Sequence, residues 1–234
     1  AVSSSNGKVA IATPNRVGVS SDDWALYLTA DARDTWTQLE NPKKEIALSL
    51  DGAATELYPI SLNMYGNNRH SIAIDPRALK DPSIPGGNLR ILLAGRKGIY
   101  EYEEERAAGA KWKVMDAGLD GSLHFNDTES VPWMGSVQFD PAMSGKVYAL
   151  QTSDRISMSD WKNPDINGNC IYEGEGTKKP VYMSTDWGKT WTNLDNDDLP
   201  DMLTVSTLHV SDGGDLYVGS VNSGFYQYIP NFSE

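Results

Sequence analysis

Acidic and aromatic side chains recur as close neighbours in this 234-residue sequence, a combination suited to sugars. Asp22 and Asp23 precede Trp24, and Asp154 and Asp160 flank a polar stretch that also holds Trp161. Tyr172 follows in the same stretch, and Trp133 stands apart from it. Indole and phenol faces stack on sugar rings, while Asn and Asp bond to hydroxyls. Two carboxylates on opposite sides of a glycosidic bond would also serve hydrolysis. With 32 Asp and Glu, though, such pairs arise anywhere, and a solvated turn is the simpler account of each. Catalytic residues therefore stay unassigned.

Other chemistries find less support. Asp195, Asp197, Asp198 and Asp201 offer the hard oxygen ligands calcium takes, but not in EF-hand spacing, and a solvated acidic loop explains them more simply. No other cofactor is expected. The single cysteine, Cys170, excludes an intrachain disulfide and a Cys-based zinc cluster. His70, His124 and His209 lie too far apart for ligand spacing. A formal net charge of -12 repels phosphate backbones, so no nucleic-acid partner is expected. No apolar run approaches the roughly 20 residues that span a bilayer, so membrane insertion is not expected either. An extracellular or periplasmic setting is, with any signal peptide removed or not included. Asn126-Asp127-Thr128 and Asn231-Phe232-Ser233 would permit glycosylation there.

Candidate residues need elements to hold them, and these are strands. The 21 Gly and 12 Pro punctuate short apolar or β-branched runs, and helical periodicity is nearly absent. The runs recur in a fixed order. Ser71-Ile72-Ala73-Ile74-Asp75-Pro76 matches Ser136-Val137-Gln138-Phe139-Asp140-Pro141, with a weaker copy from Ser206 to Asp212. Asp before Pro stops a strand in a turn. A second strand follows in each case, at Arg90 to Ala94, Lys146 to Leu150 and Asp215 to Gly219, and Lys8 to Thr13 fits the same slot. An aromatic third strand comes next, at Ala25 to Thr29, Gly98 to Tyr102, Val181 to Ser184 and Gly224 to Tyr228. Trp36, Trp112 and Trp191 head a fourth, and that recurring slot assigns them to structure.

Four short antiparallel strands, repeated, predict an all-β fold of β-propeller blades rather than a plain sandwich. Blade-like units span about 8–39, 69–115, 135–195 and 203–229 of a single domain or part of one, with an inserted loop at 153–179. The insertion carries Asp154, Asp160, Trp161, Cys170 and Tyr172, and loops on a rigid scaffold are where binding residues gather. Trp24, Trp133 and Trp161 lie outside the recurring tryptophan slot.

Ser184-Thr185-Asp186-Trp187-Gly188-Lys189-Thr190-Trp191 matches S-x-D-x-G-x-T-W at each defined position, and Thr29 to Trp36 is a decayed copy. The segment resembles the Asp-box of BNR-type propellers, in which Ser184, Asp186, Gly188, Thr190 and Trp191 would be a structural staple. The run from Val131 to Pro141 and Gly-Lys-Val-Tyr-Ala at 145–149 look most like repeats of glycoside hydrolase family 74 xyloglucanases. That resemblance implies an extracytoplasmic, glycan-associated module. It departs from the enzymes in its catalytic segments: the one Asp-Gly-Gly, Asp212-Gly213-Gly214, falls where a hairpin corner is expected. The sialidase signature is not seen.

Three readings follow. The first is a glycan-recognition or interaction propeller taking a polysaccharide or oligosaccharide. The second is part of an endo-β-glucanase or xyloglucanase whose catalytic carboxylates lie partly outside this chain. The third is an assembly propeller that binds protein. In all three, the first unit lacks an opening strand and the last lacks its tryptophan strand. About four recognisable blades are expected to be completed by the rest of a larger propeller or by a second chain.

Overall fold

Arg90 to Ala94 is apolar at four successive positions, so as a strand it must be covered on both faces. That requirement organises the architecture. The computed structural model describes residues 10–12, 26–29, 31, 34–39, 43–47, 55–59, 72–75, 90–95, 98–103, 111–119, 134–151, 161–162, 171–172, 181–194, 205–220 and 224–228. Every regular element among the described residues is a β-strand, and the pairings are antiparallel.

The first sheet orders β1 (Ala10–Ala12), β2 (Tyr27–Thr29) and β3 (Thr37–Gln38). A ribbon of β4 (Lys43–Ala47) and β5 (Thr55–Pro59) follows. The second sheet is β6 (Ile72–Ile74), β7 (Arg90–Gly95), β8 (Gly98–Glu103) and β9 (Trp112–Val114). The third opens with β10 (Met134–Phe139) and β11 (Val147–Gln151). An inserted ribbon, β12 (Trp161–Lys162) and β13 (Ile171–Tyr172), precedes its remaining strands, β14 (Val181–Ser184) and β15 (Thr192–Asn193). The fourth is β16 (Val205–Val210), β17 (Leu216–Ser220) and β18 (Gly224–Tyr228). Each of these four sheets meanders, its strands lying side by side in chain order, as in propeller blades. Among the described residues, the first sheet has no strand ahead of β1 and the fourth none after β18.

Hydrogen bonds fix which positions correspond. Leu39 N–H donates to Leu26 O, Met115 N–H to Ile99 O and Leu194 N–H to Val181 O, all at 2.8–2.9 Å. β10 and β16 share a register shift near their starts, at Met134/Ser136 and Val205/Thr207. Equivalent strands therefore carry equivalent side chains to equivalent faces.

The period of two then builds three cores between four stacked sheets. Ile91, Leu93, Tyr100 and Tyr102 of the second sheet pack on Ile11, Leu26 and Leu39 of the first. Leu92, Ala94 and Ile99, on the opposite face, pack on Val137, Phe139, Val147, Ala149, Tyr182 and Trp191 of the third. Tyr148, Leu150, Val181 and Leu194 turn the other way, onto Leu208, Val210, Leu216 and Val218 of the fourth. The second and third sheets are thus buried on both faces. Each fully buried aliphatic or aromatic side chain contributes about 1.5–3 kcal/mol, so the inter-sheet layers dominate stability.

The three tryptophans of the shared slot differ in burial. Trp191 is 4% exposed, Trp112 is half-buried and Trp36 is 42% exposed. The slot points at the preceding sheet, which covers Trp191 and Trp112; among the described residues none precedes the sheet of Trp36.

Candidate functional site

The third sheet joins most of the candidate-bearing segments, and its two ends differ in character. At one end lie the β10–β11 corner and the β14–β15 turn. Asp140 ends β10 with its side chain fully buried, where Oδ1 accepts the N–H groups of Ala142 (2.8 Å) and Met143 (3.0 Å). Lys146 Nζ stands 3.4 Å from Asp140 Oδ2, an ion pair longer than a hydrogen bond, and 5.0 Å from the Tyr148 ring centroid. Burial works against the Lys146 charge, but Tyr148 and Asp140 outweigh it and raise its pKa. Burial raises that of Tyr148 as well, against the pull of Lys146. Neither group is an acid or base near neutrality.

The 184–191 turn is closed by its own side chains. Ser184 Oγ donates to Asp186 Oδ1 (2.7 Å) and accepts the N–H of Gly188 (2.8 Å). Thr190 N–H donates to Asp186 Oδ1 at 2.9 Å and its hydroxyl to Oδ2 at 2.6 Å. Gly188 supplies a φ of +85°, and Trp187, at +67°, is a non-glycine residue held in the left-handed region. Its N–H donates to Gly145 O at 2.8 Å. Burial pushes the Asp186 carboxyl up, but the donors from Thr190 and Ser184 prevail and lower its pKa. The first sheet repeats the device. Thr35 donates its hydroxyl and its N–H to Asp31, Thr29 adds a second hydroxyl, and together they hold Asp31 at about 2.

This turn also ties the third sheet to the second. Trp191 Nε1 donates to Met115 O and its N–H to Ala117 O, both at 2.8 Å. Trp187 covers the Arg90 guanidinium, 4.6 Å from the ring centroid, and Arg90 Nε lies 2.8 Å from Glu101 Oε1. Nε and Oε1 are close but not aligned as donor and acceptor, so this contact is an ion pair first. On the other side, the Gln138 side chain bridges to the fourth sheet, donating Nε2–H to Leu208 O (2.9 Å) and accepting Val210 N–H (2.8 Å). Repeat spacing exposed the Asp186 turn, but none of these bridges. Their partners belong to different repeats.

The other end of the sheet is where β10 begins, β11 ends, β14 begins and β15 ends. Met134 pairs with Gln151, Leu150 with Val181, and Leu194 N–H reaches Val181 O. The chain leaves β11 there for the stretch with Asp154, Asp160, Trp161 and Tyr172, and returns there to β14. Trp133 immediately precedes β10, and Asp195, Asp197 and Asp198 follow Leu194. Trp161 and Tyr172 are register partners in the β12–β13 ribbon. Trp24, Trp133, Asp154, Asp160, Asp195, Asp197 and Asp198 lie outside the described residues, as do the side chains of Trp161 and Tyr172. Asp22, Asp23, Cys170, Asp201 and both glycosylation triplets do too. Among the described residues, no three His, Cys, Asp or Glu side chains gather as a metal site would require. Asp212-Gly213-Gly214 forms the β16–β17 turn, with Gly214 N–H donating to Ser211 O at 2.9 Å.

No family model and no curated protein matches the chain. Solved structures do. A glycoside hydrolase family 74 xyloglucanase from Xanthomonas campestris superposes with a TM-score of 0.52 at 14% identity, over 94% of this chain and 26% of that one. YCF48, in a structure with D1 peptide, aligns at a TM-score of 0.40 and 13% identity, over 88% of this chain and 46% of that one. The chain spans about a quarter of the xyloglucanase's length, and the shared feature is the propeller fold.

Proposed function

We propose that this chain is a glycan-recognition module of an Asp-box β-propeller, working outside the cytoplasm. One observation carries the reading. The strand register of the third sheet brings the connections bearing Trp133, Asp154, Asp160, Trp161 and Tyr172 to one end, while the opposite end is occupied by interlocked structural turns. The scaffold beneath that end is buried on both faces, so it can hold loop residues in place. Aromatic rings would stack on the sugar, with Asp side chains bonding to its hydroxyls. Trp24 would add a further platform from the first sheet. The acidic group Asp195, Asp197 and Asp198 continues from the same end and is a secondary calcium candidate.

Affinity electrophoresis through gels containing xyloglucan, mixed-linkage β-glucan or an unrelated α-glucan tests this. Retardation in a β-glucan is expected, with Trp161→Ala or Trp133→Ala weakening it about 10-fold, the equivalent of about 1.4 kcal/mol. Migration unchanged in every glycan would end this reading, and a tight protein partner would then favour the assembly one. New reducing ends released from a retarding glucan would move the function to the endo-glucanase alternative.

A further inference from the structure

Resting on the glycan reading above, we infer that Tyr182 and Gln151 are the positioning pair of that site. The buried hydrogen bond between them clasps the neck of the insertion that carries Asp154, Asp160, Trp161 and Tyr172. The chain leaves the third sheet after Gln151, the last residue of β11, and re-enters it at Val181, the first of β14. Leu150 and Val181 are the final register pair of the β11–β14 ladder at that end. The next tie between the two strands is made by side chains. Tyr182 Oη donates to Gln151 Oε1 at 2.8 Å, across 31 positions of sequence.

Both partners are anchored. Tyr182 is 1% exposed, its ring packed in the core between the second and third sheets, and Gln151 is 3% exposed and paired with Met134 of β10. A bond shielded from water is costly to leave unmade, so it holds the two side chains in one geometry. The two roots of the insertion are thereby set relative to each other.

Positional equivalence shows that this bond belongs to the insertion and not to the fold in general. The bonds from Leu194 N–H to Val181 O and from Met115 N–H to Ile99 O place Tyr182 and Tyr100 at the same position of their sheets. Both are buried, and both turn towards the preceding sheet. The residue of β7 equivalent to Gln151 is Gly95, which pairs with Gly98 where β7 turns directly into β8. Gly95 has no side chain to offer Tyr100. The tyrosine ring is thus a repeated core element, and a glutamine meets its hydroxyl in the sheet whose second and third strands are separated by a long insertion. A tight hairpin has its strand ends fixed by the ladder, whereas binding residues on a long loop keep their places through supporting hydrogen bonds at its base.

The experiment compares Tyr182→Phe with Tyr100→Phe, which removes a phenol hydroxyl from the same position of the sheet without the insertion. Affinity electrophoresis in xyloglucan and mixed-linkage β-glucan gels gives one readout, and amide exchange over residues 152–180 gives the other. Tyr182→Phe should weaken retention about 5-fold and quicken exchange over 152–180, with β10 and β11 unchanged. Gln151→Met, which removes the acceptor instead, should do the same, and Tyr100→Phe should match the parent in both readouts. Retention of Tyr182→Phe equal to the parent's would overturn the clasp. So would equal losses in Tyr182→Phe and Tyr100→Phe, which would mark a general effect on the core. A parent that no glycan retards would end the glycan reading, and exchange alone then decides: rates over 152–180 unchanged by Tyr182→Phe would overturn the clasp as well.

Discussion

The Arg90 guanidinium is sandwiched between the two kinds of group that tolerate it, with Glu101 Oε1 2.8 Å from its Nε and the Trp187 ring 4.6 Å from its Cζ. Glu101 is 2% exposed and sits between the second and third sheets. Removing one charge there strands the other. Glu101→Gln is expected to lower the unfolding free energy by about 2–3 kcal/mol, less than for a fully buried pair because Arg90 keeps some solvent contact. Replacing both, as Arg90→Met with Glu101→Leu, should recover most of that loss in urea titrations. A double variant as unstable as the single one would mean that the ion pair itself stabilises the fold.

Gln138 replaces a stretch of β-ladder between two sheets, meeting one backbone donor and one backbone acceptor. Gln138→Glu keeps the acceptor for Val210 N–H but sets a carboxylate oxygen against Leu208 O. The folded protein should resist ionising that Glu, so its pKa rises above the unfolded value. The variant should be about 2 kcal/mol less stable than the parent at neutral pH. It should recover as pH falls below the raised pKa, where a protonated Glu can donate to Leu208 O. A pH-independent deficit would contradict the bridge.

Asp31 and Asp186 both titrate below their ordinary value of 3.8, Asp31 at about 2. A depressed folded pKa means that ionisation stabilises the fold above the unfolded value, and that this is lost as pH falls through the folded one. Midpoints of thermal unfolding should therefore be flat in this respect above pH 5 and drop between about pH 4 and 2. Asp186→Asn should be less stable at pH 7 and show a shallower acid slope. An unchanged slope would show that the turn carboxylate does not drive acid unfolding.

Gly118 has a φ of +90°, and a Cβ there would lie 2.2 Å from Trp191 O. The backbone of one sheet passes directly over that of the next. Gly118→Ala combines left-handed strain with a main-chain clash and is expected to cost about 2–4 kcal/mol. Circular dichroism melts provide the measurement, and a loss under about 0.5 kcal/mol would mean that the 115–119 segment moves freely aside.

Strand order was legible because each strand carries its own signal. Ser136 to Asp140 alternates with a period of two, Val181 to Met183 is a short apolar run, and Asp140-Pro141 marks where a strand must stop. Trp36, Trp112 and Trp191 occupy one slot in sequence yet differ in exposure, because cover comes from a neighbouring repeat that no local pattern encodes. Gln138 and Arg90 read as ordinary strand residues for the same reason: Leu208 is 70 positions from Gln138, and Trp187 lies in the unit after Arg90's. Trp161 and Tyr172 stood out in sequence as aromatic residues in a long insertion, and their pairing in a two-stranded ribbon required the fold.

The serial stacking of the sheets has a consequence for how the chain comes apart. Each of the three cores joins one neighbouring pair, so cohesion is a sum of nearest-neighbour couplings along a line, as in repeat arrays. Opening should then begin at either extremity and work inwards. The extremities are the first and fourth sheets, each held by one coupling, whereas the third is held by two. Amide exchange should follow that gradient, with β7 and β11 the last to yield. The segments with Trp133, Trp161 and Tyr172 are anchored to a sheet that partial opening reaches late.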